Sequence, residues 1–358
     1  MPVLVKINFS TVMEDKEKKN VVSAGDNLTD YMETVIADLE KEGKFPAAHV
    51  YRSVLRSFTL FWNASAPMRD DPTSMSNALT PIQDVFTPER LKEYETWLTE
   101  CECSPNTIST YMRTLQAVYN RWMPPGMVDY NPILFKELYT KVESRTKRAL
   151  TAGQMRQLET TEFCALSLPQ QRVLACFMLM FMLRGMPFID LAHLRKQNLQ
   201  GRRIVYRRHK TGKLMMVDVP PDAFRLLQKY RNRAESEYLF PILNEASPGK
   251  ERYHLYQDTL RRFNRELARL MKKLLPGVSV SSYTARHTWA TLAYHSGTPL
   301  GLISQSLGHS SIRVTMSYLK PFDAEVIDKV NRQVIALVKG SKKKKVDSIN
   351  MLYGTLLR

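Results

Sequence analysis

The sequence predicts a mainly α-helical protein with a small antiparallel β-hairpin, divided into an N-terminal helical bundle and a larger C-terminal domain. Three observations carry this. Apolar residues recur at intervals of three and four along most of the chain, the spacing that gathers them on one helix face. The stretch Arg203–Val219 alternates instead and holds a turn at Thr211-Gly212, as a hairpin does. Between the halves, Met123–Asn131 (MPPGMVDYN), with Pro132 beyond it, is rich in breakers and lacks any period, so a linker begins there. A chain of 358 residues suits two domains of ordinary size.

In the first half, Asp26 or Asn27 can cap a helix whose apolar face is Leu28, Tyr31, Met32, Val35, Ile36 and Leu39. Three more helices follow, near Ala47–Trp62, Thr87–Thr99 and Ser104–Trp122. The last two open with Thr87-Pro88 and Ser104-Pro105, a hydroxyl cap followed by proline where a missing N–H costs nothing. The four helices make a bundle over residues 25–123, after an N-terminal extension (1–24) and before a linker (124–147). The second domain, 148–335, opens with a short helix at Thr151–Thr160 and a buried one at Gln170–Leu183. The apolar run Val173–Leu183 is well short of the ~20 residues that cross a bilayer, so no membrane association is expected. A helical piece, Phe188–Arg195, precedes the hairpin strands Arg203–Arg208 and Leu214–Val219. Helices resume at Asp222–Glu235 and Asp258–Leu275. Ser281 or Ser282 then caps a helix through His295 that stops at Gly297. Short helices at Leu300–Leu307, ended by Gly308, and Ser311–Leu319 complete the domain, and residues 336–358, with Lys342–Lys345, form a basic tail. No internal repeat is visible.

Charge narrows the class of partner. The chain carries 52 Lys+Arg against 35 Asp+Glu, a net +17, which excludes an acidic disordered chain. The excess lies wholly in the second half: residues 1–150 hold 18 basic and 20 acidic side chains, residues 151–358 hold 34 and 15. Gly201–Lys213 (GRRIVYRRHKTGK) has six basic residues in thirteen, and Asp258–Lys273 adds a second dense run. Such density favours a nucleic-acid phosphate backbone, since each neutralised phosphate adds affinity through counterion release. Arg207, Arg208, Lys213, Arg261 and Arg262 are the expected DNA-contacting side chains. Four cysteines are few for this length and are expected to stay reduced. The first twenty residues, MPVLVKINFSTVMEDKEKKN, lack the features of a secretory signal, so a cytoplasmic location is expected.

Four islands carry groups suited to phosphate chemistry. They are Arg184 at the end of the buried helix, Lys210 at the hairpin turn, Arg286-His287 early in a helix, and Leu307-Gly308-His309 followed nine residues later by Tyr318. Each alone has a plainer reading: a helix-end arginine, a solvated lysine, an ion-paired arginine, a turn histidine, a core tyrosine. Together and in order they resemble the tyrosine recombinase family, also called phage integrases. SSYTARHTWATLAYHSGTPLGLISQSLGHSSIRVTMSYL follows that family's H-x-x-R-H…L-G-H…Y spacing, LRGMPFIDLAHL looks like its first arginine box, and the Lys of HKTGK falls at its hairpin lysine. The N-terminal bundle is similar in layout to the family's SAM-like core-binding domain. One position departs: where most members have His, three residues before the second arginine, this chain has Tyr283.

The resemblance implies a site-specific DNA recombinase that cleaves and rejoins duplex DNA through a 3′-phosphotyrosyl intermediate, acting as a homotetramer on two sites, with accessory DNA-bending proteins as further partners. The residues fit that chemistry. Two guanidinium forks, Arg184 and Arg286, can hold the two non-bridging oxygens of a phosphodiester and stay charged at any working pH. Lys210 can protonate the leaving 5′-oxygen. His309 can donate to the phosphate or help deprotonate the nucleophile, Tyr318, while the role of Tyr283 stays open. No cofactor is implied: rejoining needs only the stored phosphotyrosyl bond, and no GxxxxGK[ST] loop is present. A metal mechanism needs clustered carboxylates or His/Cys ligands, whereas acidic residues here are scattered, HExxH is absent and Cys101-Glu102-Cys103 has no second pair. Two alternatives share the fold: a DNA-binding protein without turnover, and a DNA-relaxing enzyme of the type IB topoisomerase kind.

Overall fold

A computed structural model of the chain describes residues 27–65, 80–141, 149–243 and 249–338. The N-terminal extension 1–24 and the tail beyond residue 338 lie outside the described residues. The chain divides into two compact units, residues 1–143 and 144–358.

The first unit is helical: α1 (Leu28–Lys41), α2 (Phe45–Ser65), a single-turn α3 (Ile82–Val85), α4 (Pro88–Glu100) and α5 (Pro105–Trp122). Asn27 is the cap of α1, its side chain accepting from the Thr29 N–H at 2.9 Å. Thr87 and Ser104 cap α4 and α5 in the same way, at 3.2 Å to Arg90 N and 3.2 Å to Thr107 N. The core mixes aliphatic residues such as Leu28, Met32 and Leu115 with an aromatic group, Phe58, Phe61 and Tyr94, whose rings stand 4.9–5.5 Å apart.

Part of the expected linker belongs to this core instead. Leu134, Phe135 and Leu138 are buried in it, the Tyr119 hydroxyl accepts from the Asn131 N–H at 2.7 Å, and the Glu95 carboxylate accepts from the Tyr139 N–H at 2.5 Å. The breakers end helix α5, but the apolar residues after them still gain by leaving water.

The second unit contains α6 (Ala152–Glu159), α7 (Leu168–Met182), α8 (Phe188–His193), β1 (Leu199–Gln200), β2 (Arg203–Arg207), β3 (Leu214–Asp218), α9 (Pro221–Tyr230), α10 (Lys250–Leu274), α11 (Ser282–His295), α12 (Leu300–Leu307), α13 (Ile312–Met316) and α14 (Ala324–Val338). Helix α7 is central, packed against α9, α10 and α11, which its nearly continuous apolar sequence requires. The hairpin is antiparallel with Val205 opposite Met216 and Arg207 opposite Leu214. The short β1, absent from the sequence reading, adds an edge strand to β2. Alternation in β2 and β3 buries Ile204, Tyr206, Met215 and Val217 on one face.

Several boundaries differ from expectation. Helix α9 stops at Tyr230, well before Glu235, and α10 begins at Lys250 rather than Asp258, because Tyr256 joins the core from its first turns. Helix α14 crosses the expected domain end at 335 and none of its side chains is buried. Among the described residues no helix is long and apolar enough to cross a membrane.

Candidate active site

The site forms where four elements of the second unit meet: the turn after α7, the tip of the β2–β3 hairpin, the first turns of α11, and the α12–α13 segment with the residues that follow it. The turn after α7 is set by two consecutive residues in the left-handed region, Arg184 (φ 59°) and Gly185 (φ 65°). Gly185 is required there. A Cβ at that position would lie 3.0 Å from Arg286 Cα, so only glycine lets the turn lie against α11. Arg184 is half-buried and donates from Nη1 to the Met216 carbonyl of β3 at 3.3 Å, which ties the turn to the hairpin.

Arg286 is 2% exposed. Its Nη1 donates to the Gly185 carbonyl at 2.8 Å, and Nη2 donates to the Leu307 carbonyl at 2.5 Å and to His309 Nε2 at 2.9 Å. Its Nε is buried with no hydrogen-bond partner among the described residues. Burial, and then the neighbouring Arg208, lower its proton affinity. A guanidinium has only donors, so His309 Nε2 must be the acceptor and the imidazole proton sits on Nδ1. Nδ1 then donates to Thr315 Oγ1 at 2.9 Å. Burial together with Arg286, Arg208, Lys210 and Lys213 pushes the His309 pKa down to about 3, so the ring is neutral at physiological pH.

Tyr318 is half-buried among aromatic and cationic groups. The Arg286 guanidinium carbon stands 5.5 Å from its ring centroid, and the rings of His287 and His309 lie at 4.8 and 4.7 Å. His287 Nδ1 donates to the Tyr318 carbonyl at 3.0 Å, and the hydroxyls of Tyr283 and Tyr318 are 2.7 Å apart.

The structure thus gathers Arg184, Tyr283, Arg286, His309 and Tyr318 at one place, with Lys210 exposed on the hairpin tip near enough to act on His309. Arg207 and Lys213 are exposed on the same hairpin. Arg261 and Arg262 lie on the exposed face of α10, where Arg261 pairs with Asp258 at 3.1 Å. Arg208 departs from the expected DNA-contacting surface. It is 7% exposed, paired with buried Asp190 at 3.3 Å, and donates to the carbonyls of Leu307 and Gly308 at 2.9 and 3.2 Å. Asp190 also accepts from the His209 N–H at 2.9 Å. Arg208 and Arg286 therefore share the Leu307 carbonyl, and the Asp190–Arg208 pair holds the loop that carries His309. A charge count cannot separate such an arginine from a surface one. An acid inside the apolar string LRGMPFIDLAHL was the available signal, since a buried carboxylate needs a partner.

Gly308 adopts φ 66°, and a Cβ there would lie 2.8 Å from both Arg208 Cδ and Met215 Sδ, so the glycine both ends α12 and admits Arg208. Thr315, fully buried, was also missed by sequence reasoning, and His287 was noted beside Arg286 without a role of its own. Nothing in its residue type distinguished Thr315 from a core position. Among the described residues, no group of three or more His, Cys, Asp or Glu side chains is placed to hold a metal ion, and the four cysteines are free thiols.

Comparison with known proteins follows this layout. Residues 148–325 match the model of the phage integrase family, and residues 27–138 match that of the phage integrase SAM-like domain. Among solved structures the chain is similar to the Tn1549 transposon integrase in complex with a circular intermediate DNA, with a TM-score of 0.55 and 15% identity over 86% of this chain and 100% of that one. It is also similar to the XerH site-specific recombinase bound to a palindromic difH substrate (TM-score 0.56, 17% identity, 83% of each chain). A lambda integrase dimer bound to a COC' core site gives a TM-score of 0.55 and 14% identity over 87% of this chain and 81% of that one. At these identities the likeness is one of fold. No curated protein matches the chain. The two matched models, each covering one of the two units, lead to a single assignment: the chain belongs to the phage integrase family, the tyrosine recombinases.

Proposed function

We propose that this protein is a site-specific recombinase that breaks and rejoins duplex DNA through a 3′-phosphotyrosyl intermediate on Tyr318. The observation that carries the reading is the position of Tyr318 beside a buried guanidinium, 5.5 Å from its ring, within a cluster of cations. A buried donor without a partner, such as Arg286 Nε, is costly, and a phosphate oxygen would satisfy it. Arg184 and Arg286 clamp the non-bridging oxygens as negative charge grows on them. The Tyr318 oxygen bonds to phosphorus, the bond to the 5′-oxygen breaks, and Lys210 gives the leaving oxygen its proton. His309, neutral and accepting at Nε2, orients Arg286 before DNA binds. Rejoining by a 5′-hydroxyl reverses these steps.

The partner is duplex DNA, on which the solved relatives named above were captured. The bundle (residues 25–123) and the catalytic domain (148–335) both contact it, with Arg207, Lys213, Arg261 and Arg262 as exposed phosphate contacts. The chain acts as a homotetramer on two sites in the cytoplasm, on a mobile element. Helix α14 supports an assembly, because Val326, Ile327, Val330, Val334 and Ile335 form an exposed apolar face that a neighbouring protomer can cover.

The test uses nicked duplexes bearing repeats mapped in the DNA around the coding region, which trap the covalent state because the short cleaved strand diffuses away. Wild type forms an SDS-resistant adduct and Tyr318→Phe forms none. DNA binding without an adduct in the wild type would favour the non-catalytic reading. Relaxation of supercoiled DNA lacking the repeat would favour the relaxing enzyme.

A further inference from the structure

Tyr283 occupies the first turn of α11, three residues before Arg286 and four before His287, so the three lie along one side of the helix. Tyr318 is held by this helix at both ends. His287 Nδ1 donates to its backbone carbonyl at 3.0 Å, and the Tyr283 hydroxyl meets its hydroxyl at 2.7 Å. Tyr283 is 45% exposed, and its ring stands 5.5 Å from that of His287 and 5.9 Å from that of Tyr318. Among the other donors nearby, Arg286 Nη1 and Nη2 are bonded to Gly185, Leu307 and His309 while its Nε has no partner among the described residues, and His309 has its proton on Thr315.

We propose that Tyr283 is a positioning residue for the nucleophile: its hydroxyl fixes the Tyr318 oxygen and donates a hydrogen bond to it as the phenol proton leaves. The inference rests on the recombinase reading and deepens it, giving Tyr283 a place at the attacking oxygen. The balance is simple. The Tyr318 proton passes to solvent water, the phenolate electron pair forms the bond to phosphorus, the bond to the 5′-oxygen breaks, and Lys210 supplies the proton that oxygen takes. Tyr283 keeps its own proton throughout. Its ionisation is pushed up, first by burial and then by Tyr318. A donor to the charged form favours that form, so the hydrogen bond from Tyr283 strengthens as charge develops on the attacking oxygen. The groups facing Tyr318 are Tyr283, Arg286 and His287 from α11 and His309 from the loop after α12, and behind them stand Arg208, Lys210 and Lys213 of the hairpin. Of these, Tyr283 places a hydroxyl 2.7 Å from the Tyr318 oxygen.

Single-turnover cleavage of the nicked duplex, followed between about pH 6 and 10 for wild type and Tyr283→Phe, tests the idea. The variant is expected to bind the duplex as tightly as wild type in a gel-shift assay. At neutral pH it should cleave on the order of tenfold more slowly, the effect of one hydrogen bond to a charged group, and the deficit should close as pH rises. A second substrate carries sulfur in place of the 5′-bridging oxygen, a leaving group that needs no proton. It should restore Lys210→Ala and leave Tyr283→Phe slow. Parallel pH profiles, faster cleavage by Tyr283→Phe, or its rescue by the sulfur substrate would each overturn the proposal while leaving the wild-type adduct in place. Failure of the wild type to form an adduct on Tyr318 would overturn the recombinase reading and this inference with it.

Discussion

Arg286 is a buried cation whose hydrogen bonds go to two backbone carbonyls and an imidazole, so its charge is not neutralised by the groups it touches. Burying a guanidinium in this way costs several kcal/mol, about the scale known for unpaired buried ions. A protein gains from it where an anion is to be bound. Arg286→Lys keeps the charge but concentrates it on one nitrogen, without the planar fork of the guanidinium. DNA affinity is expected to change little while adduct formation falls on the order of 100-fold, the loss seen when one preorganised oxyanion donor is removed. Equal cleavage by the two proteins would refute the clamp. His309 makes a second residue-scale prediction. Its pKa is pushed down to about 3 in the folded protein, below the ordinary value near 6.5. The unfolded chain therefore binds this proton first as pH falls, and the stability from a neutral His309 is complete above about pH 6.5 and lost toward pH 3. Thermal unfolding of wild type should show a steeper fall in Tm between pH 7 and 4 than His309→Gln. Identical slopes would mean the imidazole is not held neutral.

At the scale of elements, the turn between α7 and α8 carries a conflict between stability and chemistry. A left-handed conformation at a non-glycine residue costs about 1 kcal/mol, and Arg184 adopts it at φ 59°. Arg184→Gly relieves that strain and removes the guanidinium together. The variant is expected to unfold a few degrees higher, by calorimetry, and to lose adduct formation; a lower Tm would show that the Met216 contact outweighs the backbone strain. Helix identities were legible because apolar spacing and hydroxyl–proline starts act locally, as at Thr87-Pro88 and Ser104-Pro105. Boundaries decided by tertiary contacts were not. Helix α10 extends back to Lys250 because Tyr256 finds a place in the core, and Leu134, Phe135 and Leu138 are drawn into the first unit past a run of breakers. Strand β1 has only two residues and exists by pairing with β2.

Over the whole molecule, the charge asymmetry and the order of the four islands made the catalytic unit readable, because arginine, lysine, histidine and tyrosine stand at intervals that a folded domain brings together. What the sequence hid is the second layer: the Asp190–Arg208 pair under the His309 loop, Thr315 behind the imidazole, and Gly185 against Arg286. Each works through a contact between residues distant in sequence, where residue type alone does not tell a surface arginine from a buried one. The proposed reaction turns on a covalent bond between one tyrosine and a DNA 3′-phosphate. Mass spectrometry of the trapped adduct, after nuclease and protease digestion, tests this most directly. The nucleotide remnant is expected on the peptide containing Tyr318, through a 3′-phosphate and in EDTA as readily as without it. A remnant on another residue, a 5′ linkage, or a strict need for a divalent cation would contradict it.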